Sequence, residues 1–164
     1  MRMIAYTMVL SFGDPSQCTI AEPEQSQAAP TPTERTARLE LVQAVFEWIE
    51  ATNSRDFKAQ RAYYPETMEA FYLWRNVPLS AVLAEKRRVF DDASTIDIKA
   101  DAPQIIIDPG RESGRTYFRK TYAIEGPRRK RTGVVLQELR WEKQHDGWKI
   151  VSERDLRVIR PARR

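Results

Sequence analysis

The spacing of apolar residues changes period once along the chain. From Glu34 to Asn53 they recur every three or four positions (Leu41, Val42, Val45, Phe46, Trp48, Ile49 and Thr52), which predicts a helix with one broad apolar face. Thr33 is placed to cap it, and Glu34 falls in the first turn, where a carboxylate meets the positive end of the helix dipole. The polar run Asn53-Ser54-Arg55-Asp56 ends this helix, and Asp56 can cap a second, shorter one carrying Phe57, Ala59 and Tyr63. Pro65 stops that helix and pushes Tyr64 out of the helical region. Met68 to Trp74 (MEAFYLW) reads as an edge strand or an extended link. Pro78-Leu79-Ser80 opens a third helix with Leu79, Val82, Leu83, Lys86, Val89 and Phe90 on one face, ended by Asp91-Asp92-Ala93.

Beyond Ala93 the pattern is that of strands: Thr95 to Lys99, Gln104 to Ile107, Thr116 to Ile124, Thr132 to Lys143, and Trp148 to Glu153 with a continuation toward Val158. The stretch from Gly114 to Glu153, three apolar-rich strands joined by two polar turns, organises the rest. In its second turn, His145-Asp146-Gly147, Asp-Gly tolerates the positive φ of a tight hairpin. Helices first and strands afterwards predict an α+β fold, with three N-terminal helices laid on one face of a curved, mostly antiparallel sheet.

Composition narrows the chemistry. A chain of 164 residues suits one domain with a proper core. Its formal charge of +4 favours solubility without demanding a nucleic-acid partner. One cysteine, Cys18, excludes a disulfide framework, and one histidine, His145, excludes a histidine-built zinc site. No apolar run reaches the roughly 20 residues of a membrane span. Met1 to Phe12, with Arg2 ahead of MIAYTMVLSF, resembles a short signal-peptide core but lacks a clean cleavage site, so localisation stays open between cytoplasm and periplasm or envelope. Gly13 to Thr33 is rich in Pro, Ala, Glu and Gln and too poor in apolar residues to order itself. The predicted organisation is a leader at 1–33, a domain at 34–158 and a basic tail at 159–164.

Three pieces carry a family resemblance: VFEWIEATNSRDFKAQRAYY, then LAEKRRVF, then the closing TYFRKTY, GVVLQELRWEK and DGWKIVSE. The pattern W-E-K-x-x-D-G-W-K-I-x-x-E from Trp141 to Glu153 is the most specific of them. From about Glu34 to Val158 the chain resembles the nuclear transport factor 2-like superfamily, the cone-shaped fold shared with ketosteroid isomerase and SnoaL-like proteins. More narrowly, it is similar to the accessory domain of bacterial L,D-transpeptidase-type envelope proteins. The resemblance implies a pocket inside the cone, with Tyr64, Phe71, Trp74, Phe118, Tyr122, Glu138 and Glu153 as candidate lining residues. It also implies a homodimer, and a small-molecule or peptidoglycan-related ligand if the envelope likeness holds.

Read as residues, the aromatic members of that set also serve as core that holds helices to sheet. Alternation from Trp148 places Glu153 with Val151 on the face opposite Ile150. There it is either a part-buried acid or base of raised pKa, or the partner of Arg140 or Arg119 in an ion pair; Glu138 has the same two readings. His145 lies in a turn, and Asp56, Tyr63 and Tyr64 have no spacing that singles them out. Asp91, Asp92, Asp97, Asp101 and Asp108 form no calcium loop. The glycines are isolated and build no phosphate loop, and Cys18 has no histidine partner for nucleophilic work. Arg128, Arg129, Lys130 and Arg131 form a basic hairpin tip and Arg157, Arg160, Arg163 and Arg164 a basic tail. A polyanion is the partner such clusters suit, but no base-stacking aromatic adjoins them. The sequence thus supports a non-catalytic module for ligand binding, docking or dimerisation, with no catalytic residue, metal or cofactor assigned. The competitors are an isomerase- or dehydratase-type enzyme using a pocket carboxylate and tyrosine, and polyanion binding through 128–131.

Overall fold

A computed structural model describes residues 31–110, 112–127 and 129–159. Cys18, Arg128 and the tail arginines from Arg160 onward lie outside the described residues, as does the leader up to residue 30. Helix α1 runs Pro32–Asn53 and starts earlier than the periodicity predicts. Its cap is Thr31, not Thr33: the Glu34 amide donates to the Thr31 hydroxyl, and Pro32 occupies the first turn, where its missing N–H costs nothing. Ala37, Leu41, Val45, Trp48, Ile49 and Thr52 form its buried stripe, while Phe46 lies off that stripe and is 45% exposed. Helix α2, Phe57–Arg61, is capped as predicted by Asp56, whose carboxylate accepts from the Ala59 amide at 2.9 Å. Helix α3 spans Leu79–Asp92 and buries Leu79, Val82, Lys86 and Phe90.

Among the described residues seven strands form one sheet: β1 (Thr67–Phe71), β2 (Trp74–Pro78), β3 (Thr95–Ala100), β4 (Gln104–Ile107), β5 (Ser113–Gly126), β6 (Arg129–Gln144) and β7 (Gly147–Ile159). Their order is β2-β1-β7-β6-β5-β3, with β4 also paired to β5. The MEAFYLW stretch is therefore not one edge strand but the first arm and turn of a hairpin. Its β1 arm is internal, parallel to β7, and β2 takes the edge. All other pairings are antiparallel. The β6–β7 hairpin closes through His145 and Asp146, with Gln144 opposite Gly147 and Gly147 at φ +116°.

Two irregularities shape the sheet. On β7, Arg140 faces Ser152 while Trp141 faces Ile150, so Val151 is an extra residue; Leu156 is likewise extra between Arg157 and Asp155. Such bulges bend a strand and re-aim its side chains. The core lies between the helices and the inner face of the sheet, around Trp48, Trp141, Phe71, Leu41 and Leu139. Asn53 clips the end of α1 to the free edge of β3, donating to the Ile98 carbonyl at 3.0 Å and accepting from its amide at 2.8 Å.

Candidate functional site

The bulge at Val151 decides where Glu153 goes. Directly opposed residues of an antiparallel pair share a face; Ile150 opposes Trp141 and Glu153 opposes Leu139, and Trp141 and Leu139 are both core. Glu153 therefore lies on the same inner face as Ile150, where unbroken alternation puts it on the opposite one. It is fully buried.

The chain brings it donors from three elements. Tyr64 leaves the end of α2, and the segment after it runs along β7, tied by the Ile150 amide to the Tyr63 carbonyl at 2.7 Å. Tyr64 Oη donates to Glu153 Oε2 at 2.9 Å and accepts from Trp48 Nε1 at 3.0 Å. Tyr72 sits at the β1–β2 turn with φ +52°, in the left-handed region that a bulky residue rarely adopts. Two bonds hold it there: its amide to the Glu153 carbonyl at 2.7 Å, and its hydroxyl to Glu153 Oε1 at 2.7 Å. From α3, Lys86 Nζ reaches both carboxylate oxygens at 3.1 and 3.0 Å. The same ammonium lies between the rings of Trp48, Tyr64 and Phe71, 5.3–5.4 Å from each centroid. The ion pair of Glu153 is thus with Lys86, and not with Arg140 or Arg119; Arg140 pairs with Glu69 instead.

These contacts set the protonation states. Burial alone would raise the Glu153 pKa, but the charges of Lys86 and Lys120 and the bonds from Tyr72 and Lys86 hold it below the ordinary carboxylate value. Burial lowers that of Lys86, opposed by the Glu153 charge. Burial and the neighbouring carboxylate push Tyr64 and Tyr72 well above an ordinary phenol. The cluster is a Lys–Glu pair with two tyrosine hydroxyls donating to its carboxylate.

Over this floor lies a cavity of about 260 Å³ between α3 and the far ends of β3 and β5. Phe71, Tyr72, Lys86 and Phe90 line one side, and Ile96, Ile98, Tyr122 and Ile124 the other. Lys120 and Asp155 also line it, joined at 3.1 Å, and Arg131 stands where it meets an outer hollow of about 310 Å³ that shares Val89 and Ile124. Tyr122 is held across Gly133: a β-carbon there would lie 2.5 Å from its hydroxyl. Beneath, Gln137 is fully buried and its amide has no hydrogen-bond partner among the described residues.

The candidate residues distribute unevenly around this site. Tyr64 and Glu153 meet behind Lys86 and Tyr72 and do not line the cavity, whereas Phe71 and Tyr122 do. Phe118 is buried in the core beside it. Trp74 begins the edge strand β2 and is 57% exposed; Glu138 lies on the outer face, opposite Tyr117. The basic tip divides: Lys130 pairs with Glu125, while Arg131 turns inward, opposite Ile124. Sequence reasoning passed over Tyr72, Lys86, Lys120 and Asp155. One signal was available, a lysine at position 86 inside an otherwise apolar helical stripe, which needs a buried carboxylate somewhere else in the chain.

Among the described residues no cluster of His, Cys, Asp or Glu has metal-binding geometry, and no helix is long and apolar enough to cross a membrane.

No family model and no curated protein sequence matches this chain. Solved structures do. A protein from Streptomyces avermitilis, provisionally described as a dehydratase of the nuclear transport factor 2-like family, superposes with TM-score 0.65 at 12% identity, covering 75% of this chain and 99% of that one. A nuclear transport factor 2-like superfamily protein from Salmonella enterica gives TM-score 0.65 at 14% identity over 79% of this chain and 94% of that one. Protein Bd1075 of Bdellovibrio bacteriovorus gives TM-score 0.60 at 15% identity over 74% of this chain but only 41% of its own. The chain has the nuclear transport factor 2-like fold.

Proposed function

We propose that this nuclear transport factor 2-like chain is a small-molecule-binding module that performs no acid–base chemistry at Glu153. The observation that carries the reading is the cavity of about 260 Å³ above a carboxylate already saturated by Lys86, Tyr64 and Tyr72. Its size is just below the roughly 300–1,000 Å³ of drug-sized sites and suits one or two rings. A general base works best with a pKa near the operating pH, whereas Glu153 is held low and both its oxygens are occupied. That weighs against an isomerase or dehydratase role. Ligand-observed NMR with a set of one- and two-ring fragments tests the reading. Binders should perturb the methyl signals of Ile96 and Ile98 and the ring of Tyr122. A screen in which no fragment touches those signals overturns it.

A docking or dimerisation role is a second reading, favoured by the β1–β2 turn, where Leu73 is 94% and Trp74 57% exposed, and by Val158 at 68%. Sedimentation equilibrium tests it for self-association: a dimer at micromolar concentration that dissociates on Leu73→Ser supports the reading, and a monomer throughout removes the homodimer. The envelope setting and a peptidoglycan-related ligand belong with this proposal, and fragments of that polymer belong in the NMR set.

A further inference from the structure

One charged group on the cavity wall has no ion-pair contact, and it points to the ligand's chemistry. Three cations line it, Lys86, Lys120 and Arg131, with two carboxylates, Glu85 and Asp155. Lys86 is matched by Glu153 at 3.0 Å and Lys120 by Asp155 at 3.1 Å. Glu85 is matched by Arg88, which donates to it at 2.6 and 2.9 Å from outside this cavity, and Arg88 also approaches Asp92 at 3.8 Å. Asp91 and Asp92 border the outer hollow and do not line this cavity. Arg131 is left as the lining cation with no carboxylate within ion-pair distance among the described residues, although its charge acts on Glu85 from further off. Its guanidinium stands between the cavity and the outer hollow, next to the apolar walls of Ile124 and Val89.

We infer that the cavity takes a monoanionic acid with an aromatic or other flat apolar body, its ring between Tyr122 and Phe90 and its acid group on Arg131. This deepens the binding reading above and rests on it. A guanidinium presents paired donors that match a carboxylate's two oxygens, and such charge-assisted bonds are the strong ones. The neighbouring pairs leave room for one negative charge and not for two. A neutral ligand leaves Arg131 unmatched, and a dianion would face Glu85 and Asp155 with nothing to offset its second charge.

The test compares 2-naphthoate with 2-naphthamide, the same ring system without the charge, by calorimetric titration of the full chain and two variants. Arg131→Gln removes the cation, and Gly133→Ala places a methyl against the Tyr122 hydroxyl, so the ring must leave its present place on the cavity wall. The expected result is naphthoate binding preferred over naphthamide in the parent chain. In Arg131→Gln naphthoate should weaken by about tenfold or more while naphthamide is unchanged, and in Gly133→Ala both should weaken. Equal binding of the two probes, or a preference for naphthoate that survives Arg131→Gln, overturns the charge inference and leaves the cavity reading standing. If neither probe binds, or if Gly133→Ala alters neither, the cavity reading fails as well.

Discussion

Truncating Lys86 to Met would leave Glu153 as a buried charge without its cation, with side-chain exposures of 10% and 1% for the two partners of the pair. Breaking one half of such a pair costs about 3–5 kcal/mol, mostly the desolvation of what remains, whereas replacing both halves with apolar groups is often near neutral. Urea unfolding should show Lys86→Met strongly destabilised and Lys86→Met/Glu153→Leu recovering most of the loss. Two single-variant losses that simply add would mean the residues are not coupled. The same pair sets a pH dependence. Glu153 has a lower pKa folded than unfolded, so the unfolded chain binds its proton first as pH falls. Its contribution is fully present above the unfolded value of about 4.3 and is lost as pH drops through the lower folded value. The stability gap between the parent and Glu153→Gln should therefore be flat from pH 7 to 5 and narrow at more acid pH. A gap that widened on acidification would reverse the assigned direction.

At the scale of elements, two glycines on the inner face of the sheet should respond differently to the same methyl group. Gly114 lies under α1: a β-carbon would meet Leu41 Cδ1 at 2.9 Å and the Ile106 carbonyl oxygen at 3.0 Å. Leu41 is wholly buried and the carbonyl is backbone, so neither yields readily, and Gly114→Ala should cost about 1–3 kcal/mol as overpacking does. At Gly133 the obstacle is the far end of Tyr122, which can swing, so Gly133→Ala should cost less than Gly114→Ala in thermal unfolding while changing the cavity. Equal losses would mean Tyr122 is locked. These elements also divide what the sequence displays from what it conceals. The 3–4 spacing of Leu41 to Thr52, the Asp56 cap and the Asp146-Gly147 turn are local signals, and each helix and hairpin they announce is present. The face of Glu153 is not local. It depends on the extra residue at Val151, which only the β6 pairing reveals. Tyr72 was concealed for a related reason: its left-handed backbone is held by bonds to β7, a strand 81 residues further on. The helix start was misjudged because Thr33 and Thr31 offer equal caps, and the choice falls to the one followed directly by Pro32.

Across the whole molecule, the two ends of the inner sheet face are covered differently, and a ligand should feel the difference. Helix α1 closes over β3 and β4 through Leu41, Val45, Trp48 and the Asn53 clip. Helix α3 is held mainly by its buried stripe and the Lys86–Glu153 pair, and the cavity lies between it and the ends of β3 and β5. A molecule filling that space joins α3, the β1–β2 turn and the sheet, and it leaves the α1 contacts as they were. Binding to the folded state alone adds about 2.7 kcal/mol at a hundredfold excess over the dissociation constant. That gain reaches every amide that exchanges by global unfolding, but amides in α3 and around Tyr72 that exchange by local opening should slow most, because local openings have their own smaller free energies. Hydrogen exchange with and without saturating 2-naphthoate reads the pattern directly. Slowing concentrated in Leu79–Asp92 and the β1–β2 turn locates the ligand between helix and sheet; slowing concentrated in α1 would place it on the other side of the molecule and dissociate the cavity from binding.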